Sequence, residues 1–327
     1  MSKRAIYILG QPRDKIYARE DQQRLEAALD ILPGTHRSDA LGDVNIEDVE
    51  IILSSWGAPK LDESFLDRVP KLEAIFYAAG SVRGFVTDRV WDRNITVCSA
   101  FKANAVPVAE FALSQILFSL KCGWQHERSC RSHETRTRFP VAGGYGSKVG
   151  LISLGAIARL VAQHLQNFDL QVIAYDPFVD NEQAAALGVE LRNLDAVFRE
   201  ADVVSLHTPN LDETAGMITG AHIASMKQGA TFLNTARGRV VREPEMIEAL
   251  TARPDLQAVL DVTYPEPPEA DSPLYQLENI ALTPHIAGSM DAECQRMGRY
   301  MTDDILRYLT HHPLEHQVTR EQAQHMA

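Results

Sequence analysis

Cysteine is scarce in this 327-residue chain, and its four cysteines include no CxxC pair. None lies at a zinc-ligand spacing from histidine, so we expect reduced thiols in a cytoplasmic protein and no bound metal. Positive charge is also in deficit, because 32 Lys and Arg residues stand against 44 Asp and Glu, a net charge of −12. This balance argues against nucleic acid or an anionic membrane surface as a partner.

Long apolar runs are few as well, and we expect none to reach membrane-spanning length. The N-terminal run at residues 5–9 is short and precedes Gly10 and Pro12, which predicts a strand and not a signal peptide. The composition, 45% apolar and 23% charged, is ordinary for a soluble globular enzyme. A chain of this length exceeds the usual size of one hydrophobic core, so two domains are expected.

Short β-prone runs alternate with helical patterns along the chain, which predicts an α/β protein with parallel sheets. Four strands are expected in the first hundred residues. After an apolar helix at 106–121, with Pro107 in its first turn, six more are expected at 149–154, 172–175, 203–206, 231–234, 258–262 and 280–282. The six predict a doubly wound dinucleotide-binding domain. A last helix, near 291–309, is expected to pack on the first domain.

Three residues in the C-terminal half carry the clearest chemistry. Arg237, Glu266 and His285 each closely follow a predicted strand, and the carboxyl ends of parallel strands are where open α/β sheets bind ligands. Arginine clamps a carboxylate with two parallel hydrogen bonds, and histidine exchanges protons near neutral pH when a carboxylate orients it. Any one of them alone is more often structural. Together and in this order they predict acid–base chemistry on a small carboxylate.

The strand at 149–154 leads into an incomplete dinucleotide fingerprint. Gly-x-Gly-x-x-Gly is expected at such a turn, and this chain has Ser153-x-Gly155-x-x-Ala158. Asp176 ends the next strand, 21 residues beyond Gly155, where an acid binds the adenosine ribose. No basic residue follows Asp176 directly, which favours NAD over NADP. The structural alternative is that Asp176 only caps the turn before Pro177.

These residues resemble the D-isomer-specific 2-hydroxyacid dehydrogenase family. The matching motifs run in the family's order and cover nearly the whole chain: Asn104-Ala105-x-x-Val108-Ala109-Glu110, Val149-Gly150 to Gly155, Leu206-His207-x-Pro209, Asn234-Thr235-Ala236-Arg237-Gly238, Leu260-Asp261-Val262 with Glu266-Pro267, and Thr283-Pro284-His285. The resemblance implies a doubly wound NAD (Rossmann) domain at 104–285. It would be inserted into a flavodoxin-like α/β substrate domain at 1–103 and 286–327, with a homodimer formed by the Asn104 helix region.

The resemblance also implies a reaction, the reduction of a small-molecule 2-oxo acid to a D-2-hydroxy acid or its reverse. Arg237 would bind the substrate carboxylate and carbonyl, His285 would donate the proton, and Glu266 would hydrogen-bond the imidazole. The loop residues Ala79, Gly80 and Ser81 would also grip the carboxylate. The residues implied at the cofactor are Gly155, Ala156, Ile157, Asp176, Thr208, Pro209, Thr235, Ala236, Arg237, Asp261, His285 and Gly288.

The chain departs from the family in two places. Val82 and Arg83 replace the usual acidic and amide residues of the substrate loop, and Ala156 replaces a residue that is often basic or polar. Two alternatives stay open: an NAD-sensing co-repressor-like module, and a dehydrogenase of another small anion such as formate or phosphite. Residues that would contact the substrate side chain, or equally belong to core or surface, are Trp56, Tyr77, Arg83, Phe101 and Arg296.

Overall fold

The structure, a computed structural model, describes residues 2–42, 44–131 and 138–326. Within them the chain forms two compact units. Unit 1 falls within Met1–Ala105 and Ser289–Met326, and unit 2 within Val106–Gly288. The boundaries predicted from the sequence, after residues 103 and 285, fall two and three residues earlier. That unit 1 binds the substrate stays a prediction.

Unit 1 contains a parallel five-stranded sheet with the order β2-β1-β3-β4-β5, the strand order of flavodoxin-like folds. Its strands are β1 (Arg4–Ile8), β2 (Asp30–Ile31), β3 (Ile51–Ser54), β4 (Ala74–Tyr77) and β5 (Thr96–Ser99). Strand β2 is not predicted from the sequence. It has two residues at the edge of the sheet, too few to show a hydrophobic period.

Helices cover both faces of this sheet. They are α1 (Arg13–Ile16), α2 (Arg19–Ala28), α3 (Glu63–Leu66), α4 (Asp88–Asp92), and, from the C-terminal segment, α12 (Ala292–Leu309) and α13 (Arg320–Gln324). The apolar face of α12, including Met297, Met301 and Ile305, is buried in one core with Tyr7 and Phe76 of the sheet. The last long helix therefore belongs to the same core as the first strands.

Unit 2 contains a parallel seven-stranded sheet with the order β12-β11-β10-β9-β6-β7-β8. Its strands are β6 (Lys148–Ile152), β7 (Gln171–Tyr175), β8 (Val189–Leu191), β9 (Val203–Leu206), β10 (Thr231–Asn234), β11 (Gln257–Leu260) and β12 (Ile280–Leu282). This is the doubly wound dinucleotide-binding order with one further strand, so the predicted fold class is confirmed. The prediction of six strands is wrong: β8 is a three-residue edge strand whose pattern is too short to detect.

The helices of unit 2 lie between its strands. They are α6 (Gly123–Arg131), α7 (Ala156–Leu165), α8 (Asn181–Ala186), α9 (Leu194–Glu200), α10 (Gly220–Ala224) and α11 (Glu243–Ala252). A Cβ added to Gly150 would stand 2.5 Å from Val197 Cγ1, so glycine in β6 is what lets α9 pack closely on the sheet.

We call the end at which the strands of a sheet begin its amino edge, and the opposite end its carboxyl edge.

Helix α5 (Phe101–Leu120) begins earlier than the sequence predicts. The Ser99 hydroxyl accepts a hydrogen bond from Phe101 N at 3.2 Å and starts the helix there, so Pro107 lies inside the helix and not in its first turn. Among the described helices, α5 alone is long and apolar enough to span a membrane, and half of that stretch is buried in the protein. The prediction that no stretch reaches this length is wrong, although buried core helices meet the same criterion.

Candidate active site

The three residues singled out in the sequence follow neighbouring strands of unit 2. Arg237 follows β10, Glu266 follows β11 and His285 follows β12. Strands β10, β11 and β12 are adjacent and parallel, so their carboxyl ends meet at one edge of the sheet. The structure therefore brings these loops together at the carboxyl edge.

His285 and Glu266 form a close pair. Nδ1 of His285 lies 2.6 Å from Oε1 of Glu266, and the side chains are 45% and 39% exposed. An ionised carboxylate only accepts hydrogen bonds, so Nδ1 carries the proton of this contact. Nε2 is thereby left to exchange a proton with a ligand, and no described residue hydrogen-bonds it.

Asp261 holds the loop that carries His285. Its side chain is buried, Oδ1 accepts from Thr283 Oγ1 at 2.6 Å and from Ile286 N at 2.8 Å, and Oδ2 accepts from Ala287 N at 2.9 Å. His285 has a left-handed backbone, φ 54°, which costs a non-glycine residue about 1–2 kcal/mol. The hydrogen bonds that Asp261 accepts offset that cost, so its visible role is to position the histidine. Its expected role at the nicotinamide carboxamide stays a prediction.

Arg237 lies mostly buried, and no described acid pairs with it. Its only side-chain hydrogen bond to a described residue runs from Nη1 to Ala236 O, at 2.6 Å. Burial lowers the pKa of the Arg237 guanidinium, and the nearby charge of Glu266 opposes that shift. A desolvated cation with unused donors is suited to bind an anion from outside the protein.

Close packing fixes the Arg237 loop against the Glu266 loop. A Cβ added to Gly238 would lie 2.0 Å from the backbone carbon of Thr263, so only glycine fits there. Asn234 shapes the same turn, because its Oδ1 accepts from Ala236 N at 3.0 Å and its Nδ2 donates to Arg237 O at 3.2 Å. The two loops therefore hold Arg237 and Glu266 in a fixed relation.

A pocket of about 490 Å³ adjoins the histidine pair. Its walls are formed by Asp261, Thr263, Glu266, Pro267, Pro268, Tyr275, Leu282, Thr283, Pro284 and His285. Arg237 and the start of α7 are not part of this lining.

The fingerprint residues lie at the start of α7, beside the end of β6. Gly155 is the N-cap residue, no side chain caps the helix, and the space into which its Cβ would point is open. The first backbone N–H groups, those of Ala156 and Ile157 among them, therefore face a region that a ligand can approach. A helix start of this kind binds the pyrophosphate of a dinucleotide.

Ser153, in the place of the first fingerprint glycine, keeps the tight turn. It adopts φ 72°, donates its backbone N–H to Tyr175 O at 2.7 Å, and its Oγ lies 2.9 Å from Thr208 Oγ1. The hydroxyl contact ties the β6 turn to the loop after β9 and offsets the strain of the left-handed backbone. The departure from the fingerprint therefore leaves the turn in its expected form.

Asp176 also supports this turn. Its Oδ2 accepts from Leu154 N at 2.7 Å, and its Oδ1 accepts from Phe178 N at 2.8 Å and from Val179 N at 3.2 Å. A carboxylate offers about four acceptor positions, so one remains for a ribose hydroxyl. The capping role and the ribose role are thus compatible at this residue.

At the carboxyl edge of this sheet, two buried polar atoms have no hydrogen-bond partner within the described part of the chain. They are His207 Nδ1, after β9, and Thr235 Oγ1, after β10. Burial lowers the pKa of His207 to about 4, so this imidazole is neutral at ordinary pH. A buried polar group without a hydrogen bond destabilises the fold. A bound dinucleotide, which carries hydroxyl and amide groups, would supply hydrogen-bond partners for both atoms. Pro209 and Gly288 lie in the adjoining loops after β9 and β12.

The predicted substrate loop lies in unit 1, after β4. The Ser99 hydroxyl donates to Ala79 O at 3.1 Å and to Gly80 O at 2.5 Å. Because both carbonyls face Ser99, the N–H groups of Gly80 and Ser81 face the other way, and no described residue accepts from them. The loop therefore presents free donors, as an anion-binding loop requires.

The other substrate-contact candidates have mixed surroundings. Tyr77 is buried against Phe85, with ring centres 4.6 Å apart, and Trp56 packs against the core of unit 1, so both have structural roles. Phe101 starts α5, and Arg83 is exposed. Arg296 is partly buried, and its Nη1 has no partner among the described residues.

Sequence reasoning missed several residues that shape the site. The sequence shows Asn234 only as part of a motif, and it does not point to Glu243, whose Oε2 accepts from Tyr264 N at 2.9 Å. An Asn at a strand end before a turn is a recognisable signal, because its side chain often bonds the backbone two residues on. Glu243 gave no such signal, since its contact is 21 residues away.

Known proteins resemble this chain in sequence and fold. Residues 113–287 match the family model described as "D-isomer specific 2-hydroxyacid dehydrogenase, NAD binding domain". This chain belongs to that family. Unit 2 is accordingly its NAD-binding domain, and NAD is confirmed as the predicted cofactor.

Relatives of the family differ in length. The D-3-phosphoglycerate dehydrogenase of Archaeoglobus fulgidus is 30% identical over 279 residues, which are 85% of this chain but 52% of that protein. This chain thus spans about half the length of the phosphoglycerate dehydrogenases that it matches. The (S)-sulfolactate dehydrogenase of Chromohalobacter salexigens is 34% identical over 263 residues, 76% of this chain and 82% of that protein. The D-mandelate dehydrogenase of Rhodotorula graminis shares the fold, with a TM-score of 0.83, 23% identity and 98% coverage of both chains.

Proposed function

We propose that this protein is an NAD-dependent oxidoreductase that interconverts a 2-oxo acid and a D-2-hydroxy acid. The observation that carries the proposal is the 2.6 Å pair of His285 and Glu266 beside the guanidinium of Arg237, which pairs with no acid among the described residues. An acid–base group and an anion clamp in one set of loops match what carbonyl reduction of a 2-oxo acid needs. Bound NADH would supply the hydride.

His285 is the proton donor in this proposal. With Nδ1 engaged by Glu266, Nε2 gives its proton to the carbonyl oxygen during reduction and accepts it back in the oxidation. Glu266 fixes the orientation of the ring and stabilises the imidazolium. Asp261 positions the histidine through the backbone of its loop.

Arg237 binds the carboxylate of the substrate. Its guanidinium lies in a mostly buried position, where an ion pair is stronger than in water. Two parallel N–H donors fix the plane of the carboxylate and the place of the neighbouring carbonyl. The free N–H groups of Gly80 and Ser81 in unit 1 also bind that carboxylate in our proposal, together with Ala79 of the same loop.

The cofactor residues have separate tasks. Gly155, Ala156 and Ile157 receive the pyrophosphate at the start of α7, and Asp176 takes a ribose hydroxyl. Thr208, Pro209, Thr235, Ala236 and Gly288 line the rest of the dinucleotide. Because the carboxylate of Asp176 would repel a 2′-phosphate, we propose a preference for NAD over NADP. A cytoplasmic homodimer formed through the α5 region remains part of the proposal, to be checked by sizing the protein in solution.

A panel assay tests the proposal. Purified protein with NADH and a series of 2-oxo acids should oxidise NADH, and chiral analysis should find the D-hydroxy acid. Formate and phosphite, with NAD, form the second arm. Turnover of only these small anions would replace the proposal with a dehydrogenase of another anion, and NADH binding without turnover of any substrate would favour a sensing module.

A further inference from the structure

Glu243 holds the Glu266 loop from outside that loop. It is the first residue of α11 and is partly buried. Its Oε2 accepts a hydrogen bond from Tyr264 N at 2.9 Å, and Tyr264 lies two residues before Glu266. The contact therefore joins the start of α11 to the segment that carries the acidic partner of His285.

The surroundings of this carboxylate are unfavourable for a charge. Burial raises the pKa of the Glu243 carboxyl, and the N–H of Tyr264 opposes that shift. No Lys, Arg or His that the structure describes pairs with it. A carboxylate held partly out of water with one hydrogen bond and no cation costs free energy. A role in stability alone therefore does not explain this residue.

Glu245, on the same helix, accepts from a backbone N–H in a more favourable setting. Its Oε2 accepts from Gly220 N at 3.0 Å, and its Oε1 lies 3.1 Å from Arg242 Nη1. The N–H of Gly220 and, after it, the Arg242 guanidinium hold the pKa of Glu245 below its usual value. Of these two carboxylates, it is the one without a described cation, Glu243, that contacts the Glu266 loop.

The segment just before Glu266 has one polar restraint from another element. Thr263 Oγ1 donates to Pro265 O at 2.8 Å, which is a bond within the segment, and the backbone of Thr263 packs tightly against Gly238. Among the described residues, the hydrogen bond to Glu243 is the only one that another element forms with residues 263–265. The position of this segment therefore depends on Glu243.

We propose that Glu243 is a positioning residue for proton transfer, because it holds Tyr264 so that Glu266 stays within hydrogen-bonding distance of His285. This inference rests on the proposed function and adds a residue to it. Glu243 acts through the backbone, since the 2.6 Å contact of Glu266 with His285 tolerates little displacement. A shift of about 1 Å in a catalytic group can lower the rate by about 10²-fold. Loss of Glu243 slows proton transfer and leaves the binding of substrate and NADH intact.

Three variants of Glu243 test the proposal in steady-state assays with NADH and the 2-oxo acid of highest kcat/KM. Glu243→Asp keeps the charge at the start of α11 but is shorter by one methylene group, and Glu243→Ala removes the acceptor. Both should lower kcat by about 10- to 100-fold. KM for the acid and for NADH should change little, because Asn234 holds the Arg237 turn independently. Glu243→Gln keeps an acceptor oxygen at the same reach, so its kcat should stay within about fivefold of the parent value.

Two further variants separate positioning from general stability. Glu245→Ala removes the matched carboxylate of α11 and should leave kcat unchanged. In the double variant of Glu243→Ala with Glu266→Gln, kcat should be close to that of Glu266→Gln alone, since the effects of residues that act through one contact do not add. Melting curves accompany all variants, and Glu243→Asp gives the kinetic answer if Glu243→Ala does not fold.

The outcomes distinguish this inference from the proposed function. Parent-like kcat in Glu243→Asp and Glu243→Ala, an equal loss in Glu245→Ala, or losses that multiply in the double variant would overturn the inference and leave the proposed function standing. If the parent protein reduces no 2-oxo acid, the proposed function fails and this inference with it.

Discussion

Two arginines at opposite edges of the seven-stranded sheet differ in what their guanidinium groups contact. Arg253, at the amino edge, forks onto Asp255 with N–O distances of 2.8 and 2.7 Å, and this hydrogen-bonded pair raises the pKa of the arginine. Arg237, at the carboxyl edge, has no such acid in residues 2–42, 44–131 and 138–326, and burial lowers its pKa. One guanidinium is satisfied inside the protein, whereas the other retains its capacity to bind an anion.

The same contrast extends along the two edges. At the amino edge, Lys148 pairs with Glu200 and Lys227 pairs with Asp202. At the carboxyl edge, His207 Nδ1 and Thr235 Oγ1 are buried, and no residue that the structure describes hydrogen-bonds them. Charge that is paired internally stabilises the fold, and polar groups left unpaired mark where a ligand supplies the partner.

Removal of the proton donor should have the largest effect. We expect His285→Ala to lower kcat by on the order of 10²- to 10⁴-fold, the usual contribution of a positioned acid–base group, with little change in NADH affinity. His222, whose Nε2 lies 3.2 Å from Asp195, is a second histidine–acid pair and serves as the control. His222→Ala should affect stability only. Full turnover by His285→Ala would show that the proton comes from another group.

Exchange of each arginine for lysine sharpens the comparison between edges. Arg237→Lys keeps the charge but loses the planar two-point contact, so KM for the 2-oxo acid should rise by about 10- to 100-fold with NADH affinity unchanged. Arg253→Lys should leave KM unchanged and cost about 1 kcal/mol or less of stability. Steady-state kinetics and melting curves on both variants decide the matter. Intact KM with lost stability in Arg237→Lys would contradict the carboxylate clamp.

The buried His207 predicts a pH dependence of folding. Its pKa is about 4 in the folded chain against 6.5 in the unfolded chain. The unfolded state therefore takes up a proton first, and stability falls as pH drops from 6.5 to 4, by on the order of 3 kcal/mol. Urea unfolding across this range should show a shallower loss for His207→Gln, which does not titrate. An equal loss in both proteins would assign the acid sensitivity to other groups.

The smallest effect that we expect at the carboxyl edge concerns the choice between NADH and NADPH. The kcat/KM of the parent enzyme should be higher with NADH than with NADPH. Asp176→Ala should reduce the ratio of these two values by about tenfold, which corresponds to the loss of one hydrogen bond or one charge repulsion. Asp176 also holds Leu154 N, so a melting curve must accompany the kinetics. Equal kcat/KM for both cofactors in the parent enzyme would refute the preference.

Much of this architecture is encoded in short-range patterns. The buried strands were recognisable from apolar β-prone runs, and Arg237, Glu266 and His285 from their places after such runs. Strands β2 and β8 were missed because they have only two and three residues, which is too few to show an alternation of apolar and polar side chains. The loop-holding contacts of Asp261 were missed because they depend on pairing between β11 and β12. Contacts between distant segments leave little trace in a single sequence.

The Glu266→Gln variant tests the central claim most directly. If the Glu266 carboxylate accepts a hydrogen bond from Nδ1 of His285 across their 2.6 Å contact and so orients the ring, an amide in its place loses a charge-assisted hydrogen bond. The account predicts that kcat falls by on the order of 10- to 100-fold, with KM for NADH and the melting temperature nearly unchanged. A kcat equal to that of the parent enzyme would contradict it.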